Sequence, residues 1–462
     1  MLIKSLTLLN PATEEVLLNQ DLQITEGVIT GIGEGLPAKS HTVLDGKGLY
    51  VLPGLFDGHV HLPSVPGSVV RNESSEQIAN MLACNLGIYL ASGVTTVLDA
   101  AAPVGLLEQA KVLNRSNRSP RILGLAPFLT PKEGYFSSTI ERGLTFENLW
   151  DPVVSAEEVR GHFALAKNLN PVGAKLTFEK GMGPFEVWPV FSPEALSEIQ
   201  TQSQNLGIPL YAHSMSTAEH RLALKVKPHA LVHPGFYDET PDSKILKELR
   251  DSQVFVITTL AIYKMMLLMW EHELMDDPWF KALVPVRQME TGRQVDNRDN
   301  IIGQVVALNR PWWIPEFLAR GLASWFMNPT SIKQNLKNSL FALKKAHEAG
   351  IPLVAGSDAG NWPLWTTFFH GVGSILELEL LEEAGLTPWE TLKAATHVPA
   401  KMLNLDDRVG SIAIGKEADL IFLKHNPLKG MRNLRDLQWV MRAGHLKSPS
   451  DWRMDSSEPN CR

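Results

Sequence analysis

Cysteine is nearly absent from this chain. The two present, Cys84 and Cys461, are too few for a disulfide framework, and the second falls in a polar SSEPNCR tail. Long apolar runs are missing as well: no uncharged stretch approaches the ~18 residues of a membrane span. The start, MLIKSLTLLNPATEEV, has neither the continuous apolar segment nor the small-residue cleavage site of a secretory signal. A cytoplasmic protein without a membrane span is the expectation. Nor is there a basic excess, since 43 Lys and Arg against 50 Asp and Glu give −7 at pH 7, which speaks against nucleic acid as a partner. What is present is 44% hydrophobic residues over 462 positions, enough for one large core and a smaller one, and fourteen histidines.

The first fifty residues alternate strand-like runs (MLIKSLTLL, VLLNQDLQI, GVITGIG) with Gly, Asn and Pro turn signals, the pattern of a small β unit. From about Leu55 the texture becomes strand, helix, strand. Candidate strands are GLFDGHVHL, GVTTVLDA, RILGLAPFLT, GAKLTFE, IPLYAHSM, ALVHPG, VFVITTLA and IPLVAGSDA, separated by helical patterns such as SAEEVRGHFALAKNLN and SIKQNLKNSLFALKKAHEAG. Eight such units predict an α/β fold, a (β/α)8 TIM barrel whose reactive groups stand at the strand C-terminal ends. After TPWETLKAATHVPAKML, β signals return in VGSIAIGKEADLIFLK and DLQWVMRAGHL. The expected organisation is a composite β-sandwich from 1–52 and 405–448, a barrel over 53–404, and an unordered tail over 449–462. Between the seventh strand and the SIKQNLKNSL helix, 264–330 is far longer than an ordinary barrel loop, and such loops are usually functional.

His59 and His61 alternate along one strand and so face the same side. Alone, such a pair is more often packing than ligation. The other strand ends supply Lys175 in GAKLTFE, His213 in YAHSM, His233 in LVHPG and Asp358 in AGSDAG. A buried lysine is by default the partner of a carboxylate; deprotonated, it can also take up CO2 and become a carbamate, an oxygen donor able to bridge two cations. Four imidazoles, a carboxylate and a carbamate suit two divalent ions, most simply Zn2+.

The ordered set PGLFDGHVH, GAKLTFE, YAHSM, LVHPG, GSDAG and GSIAIGKEADL resembles the amidohydrolase superfamily, in particular its imidazolonepropionase-like and Xaa-Pro-dipeptidase-like (prolidase-like) branch. TPKEG, HGVGSILELELLEEAGLTPWETLKAAT and NPLKGMRNLRDLQWVMRAGHL extend the likeness over nearly the whole chain. The resemblance implies that His59 and His61 hold the more buried metal, that His213 and His233 hold the other, and that carboxylated Lys175 bridges them. It further implies that Asp358 binds the first metal and handles the proton. Two departures concern substrate. Many relatives carry Gly-Gly-His after the third strand where this chain has Lys132-Glu133-Gly134-Tyr135, and relatives that cleave dipeptides often carry an aromatic hydroxyl where Ser214 and Met215 stand. Both weaken the expectation of peptide-carboxylate recognition. Tyr135 and His370 are the candidate substrate contacts.

The activity so implied is hydrolysis of an amide C–N bond in a dipeptide- or N-acyl-amino-acid-like small molecule carrying an apolar group. Water is activated between two cations, and Asp358 serves as base and then acid. The same donors would also serve a lactonase, a cyclic-amide hydrolase or a deaminase, and a non-catalytic scaffold is the reading from another class. A homo-oligomer is compatible with the sequence. Asp57 and Asp99 are expected to orient ligands or strand ends; His220 and His229 are expected in surface or packing roles, and His397 in a structural one. The insertion holds Trp270, Trp279, Trp312, Trp313 and Trp325 of the twelve tryptophans. It is expected either to close over the site as an apolar lid or to seal its own small core or a subunit interface.

Overall fold

The computed structural model describes residues 1–38, 42–63, 75–137, 150–181, 188–233, 241–294, 301–303, 306, 313–360 and 366–454. Eight parallel strands follow one another in chain order around a barrel: Leu55–Val60, Val94–Asp99, Arg121–Leu129, Gly173–Thr177, Leu210–His213, Ala230–Val232, Phe255–Ile257 and Leu353–Val354. All eight sequence-predicted strands are there. The barrel closes where Gly58 N donates to Ala355 O (2.8 Å) and Asp358 N to His59 O (2.8 Å), joining the first strand to the eighth. Closure matters for the site because it sets His59 and Asp358 side by side.

Helices cover the outside for reasons legible locally. Ala156–Lys167 starts at a capping box, with Ser155 and Glu158 satisfying each other's backbone N–H, and it buries Val159, Phe163 and Ala166 at helical spacing. The helix Val372–Glu383 buries residues on every side, because the insertion and the Met431–Arg435 turn cover the face that a barrel helix usually gives to water. Inside the barrel, Phe56, Leu98, Leu125, Tyr211, Val232 and Ile257 build a dry floor.

The chain ends form a separate mixed sheet. Tyr50–Pro53 lies centrally, parallel to Leu2–Asn10 and antiparallel to Leu420–Leu423, so the C-terminal strands complete the N-terminal ones. Its core includes Ile3, Leu6, Leu22, Ile24, Val51 and Phe422. A buried ion network ties it to the barrel: Arg121 pairs with Glu417 (2.5 Å) and Asp419 (3.2 Å), and Arg442 with Asp419 (3.1 Å). Where the sequence suggested an unordered tail from 449, Pro449–Met454 forms a short helix. Trp452 explains it: the side chain is 1% exposed and its indole N–H donates to Val440 O (2.9 Å).

Among its described residues the long insertion is mostly helical, with Ala261–Leu267, Pro278–Leu283, Val286–Gly292 and Glu316–Phe326. Its Phe280 meets Phe369 edge-to-face at 5.3 Å, so it packs on the segment after the eighth strand. Trp279 lies under the Arg435 guanidinium (4.3 Å), a packing role, and Trp313 is exposed. Trp312 and the Trp325 side chain lie outside the described residues.

Candidate metal centre

Side chains from five strands or strand ends converge on the C-terminal mouth of the barrel. His59 and His61 come from the first strand, Lys175 from the fourth, His213 from the fifth, His233 from just past the sixth and Asp358 from just past the eighth. His59 Nε2 and His61 Nε2 lie 3.3 and 3.1 Å from Asp358 Oδ1. One ligand atom of each of these three residues can be chosen so that all lie within 4.8 Å of one another, a span that one cation can bridge. The His59 ring meets those of His61 and His233 at 5.4 and 5.1 Å, and His213 meets His233 at 4.6 Å. The six residues singled out from the sequence form one cluster. Its geometry demands unusual backbone: Asp358 and His233 have φ of +55° and +69°, and at Gly360 (φ +79°) a Cβ would strike His61 O at 2.4 Å.

Electrostatics prepare the cluster for cations. Burial and then the charge of Lys175 push the His59 and His213 imidazoles down to about 3, so both are neutral and hold free lone pairs at pH 7. Burial pushes Lys175 down to about 7, against the opposing pull of the Asp358 and Asp99 charges. Burial alone would raise Asp358, but the His59 and His61 rings beside its Oδ1 outweigh it and hold the carboxyl well below its usual range. Neutral imidazoles, an ionised carboxylate and an amine that burial readies to lose its proton are a donor set that fits divalent cations.

A model of the amidohydrolase family matches residues 50–447. The chain belongs to the amidohydrolase family. An adenine deaminase from Geobacillus kaustophilus (strain HTA426) is 31% identical over 152 residues, or 27% of this chain. That match spans about a quarter, 26%, of the deaminase. Among solved structures, a Xaa-Pro dipeptidase with methionine bound in its active site superposes with a TM-score of 0.70 at 18% identity, over 96% of this chain and 99% of the dipeptidase. A putative prolidase from Bifidobacterium longum does so with a TM-score of 0.67 at 22% identity, over 99% of both chains. This amidohydrolase thus has the fold of prolidase-like structures.

Three neighbours of the cluster were not singled out from the sequence. Glu179 Oε2 is 2.6 Å from His213 Nε2, and burial drives the pair toward neutral forms, lifting Glu179 to about 8. Its signal was available: Lys175, Thr177 and Glu179 keep the period of two that aims side chains to one face, and all three are buried. Thr259 Oγ1 lies 2.8 Å from His233 Nδ1, and Glu377 in turn binds the strand end that carries Thr259. No sequence signal links those three. Asp57 and Asp99 orient strand ends as expected, Asp57 accepting from Ser357 N and Ser374 Oγ, and Asp99 from Leu62 N and Ala101 N.

Of the two candidate substrate contacts, Tyr135 stacks on the His213 ring (4.5 Å, 19° between planes) and meets Trp188 at 5.4 Å, beside the cluster. His370 stands differently. It is 1% exposed, packs against Gly360 and has Nδ1 2.9 Å from Tyr89 Oη, so protein rather than solvent surrounds it. His220, also 1% exposed, binds its own helix at Ser216 O (2.6 Å), and His229 binds Met402 O (2.8 Å).

Proposed function

We propose that this amidohydrolase is a metal-dependent hydrolase of an amide-type C–N bond in a small molecule with an apolar group beside the scissile carbonyl. The observation that carries the reading is the convergence on the barrel mouth of four imidazoles, Asp358 and a buried lysine whose proton burial loosens. In this reading His59, His61 and Asp358 would hold one divalent ion and His213 and His233 a second, most simply Zn2+, and Lys175, as a carbamate, would supply a further oxygen ligand. Such ions supply Lewis acidity and lower the pKa of a nearby water.

The chain's own groups do the rest. Glu179 at His213 Nε2 and Thr259 at His233 Nδ1 fix the two rings, and an ionised Glu179 accepting from Nε2 would leave His213 Nδ1 as the donor, as a Thr259 accepting from Nδ1 would leave His233 Nε2. Asp358, kept ionised, accepts the proton of the attacking water at its carboxylate and passes it to the leaving nitrogen. Tyr135, whose phenol burial pushes above its ordinary range, stays protonated and can donate to the oxygen on which charge develops. Its ring and that of Trp188 give the apolar side of the substrate a wall.

A second reading, deamination of a nitrogen heterocycle, draws on the match to adenine deaminase over 27% of the chain. Opening of a lactone or cyclic amide would use the same groups. The test incubates zinc-loaded protein with N-acyl amino acids, dipeptides, lactones and purines. Acid plus amine from an acylated substrate supports the proposal, ammonia from a purine supports the second reading, and no turnover in any class favours a scaffold.

A further inference from the structure

The helix Val372–Glu383 carries a fully buried carboxyl group, Glu377, that belongs to no ion pair among the described residues. Its partners all lie at the end of the seventh strand. One oxygen accepts from Thr258 Oγ1 and from Thr259 N (3.1 Å), and the other from Ala261 N (2.6 Å), in the first turn of the helix Ala261–Leu267. Between those two amides sits the most strained described residue at the barrel mouth: Thr259 has φ +127°, a region that a β-branched side chain rarely enters. Such a conformation persists only where the surroundings over-determine it, and the carboxyl group grips the backbone on both sides of it. The strain aims the Thr259 hydroxyl at His233 Nδ1, 2.8 Å away, while His233 N is held by Ile257 O (3.1 Å).

We propose that Glu377 is a positioning residue that acts through Thr259 to set the orientation of the His233 imidazole in the site. A plain helix cap would need only the bond to Ala261 N; the bonds to Thr258 and Thr259 serve the residue that touches His233. The chemistry also selects a carboxyl group. Both oxygens face backbone N–H donors, so an amide at this position sets an NH2 against one of them whichever way it is turned. The inference rests on the metal-dependent reading above for what His233 does, and on geometry alone for how His233 is held.

The test compares wild type with Glu377→Gln, Thr259→Val, Thr259→Ser and the double variant Glu377→Gln/Thr259→Val. Long-range proton–nitrogen spectra of the metal-free proteins, with His233 assigned through His233→Asn, report its tautomer. Chelator-competed Zn2+ titration reports the weaker of two ions. The expected result is one His233 tautomer in wild type and in Thr259→Ser, mixed tautomers in Glu377→Gln and Thr259→Val, and a ~10–100-fold weaker second Zn2+ in both of the latter. Because the two residues act in series, the double variant should bind no more weakly than Thr259→Val. An unchanged His233 spectrum in folded Glu377→Gln, or a double-variant loss equal to the product of the single losses, would overturn the proposal. Should Glu377→Gln fail to fold, Glu377→Asp carries the same comparison, its shorter carboxylate being unable to reach both amides. If wild type binds no second Zn2+, the metal-dependent reading fails, and the metal-free spectra still decide whether Glu377 sets His233.

Discussion

Asp358 and Lys175 carry opposite demands that burial makes acute. In the proposed centre Asp358 would have to stay ionised though buried, which the His59 and His61 rings beside it favour, and Lys175 would have to give up its proton, which burial favours. In the proposed mechanism Asp358→Asn keeps an oxygen donor and removes the proton acceptor. Its kcat should fall by roughly 10²–10⁴-fold with metal content near that of wild type, measured on the same sample. A near-normal kcat would assign the proton to another group. Lys175→Ala should lose most activity and regain part of it in short-chain carboxylic acids, which can supply the missing anion; absence of rescue in a folded, metal-loaded variant would leave the lysine as an ordinary buried amine. His59 is legible in its strand motif, yet its pH behaviour comes only from its burial. Its folded-state value of about 3 lies below the ordinary 6.5, so below pH 6.5 the unfolded chain takes up a proton that the native one refuses. Stability is therefore lost as pH falls from about 6.5 toward 3. In metal-free protein the urea midpoint of wild type relative to His59→Gln should shrink between pH 7.5 and pH 4.5; a constant difference would contradict the neutral, buried imidazole.

At the scale of elements, much of the architecture was written in local pattern. The eight strands are short apolar runs bounded by turns, and helices such as Ala156–Lys167 carry their own caps, so each announces itself without knowledge of its neighbours. The six clustered residues were legible for the same reason: they fall at strand ends, where the barrel converges them. What escaped is whatever depends on two elements meeting. Glu377 lies on an outer helix and binds a strand end 118 residues away in sequence, and no pattern in LELELLEE marks one of its glutamates as the buried one. The placement of Trp279 under Arg435 and the helix of Trp452 follow from tertiary packing too. The insertion's aromatic content signalled burial, but composition does not say against what.

For the whole molecule, the sheet built from both chain ends is joined to the barrel through charge. Asp419 sits between Arg442 and Arg121, all three buried, with Glu417 completing the network. Asp419→Ala would leave Arg442 buried without its carboxylate, a loss on the order of 3–5 kcal/mol. A chemical-denaturation curve reads it directly, and a variant as stable as wild type would mean that the network is not coupled to folding. The same variant should leave the spacing of the metal-site residues untouched, since the network lies beneath the barrel floor and the reactive groups at its mouth.

In the proposed function the six convergent groups form a two-cation hydrolytic centre. The most direct measurement is the content of divalent metal per chain by elemental analysis of zinc-equilibrated protein, taken alongside its hydrolytic rate on an acylated substrate. Two ions per chain are expected, with activity lost on chelation and restored by Zn2+. Full activity in protein that holds a single ion, or none, would contradict it.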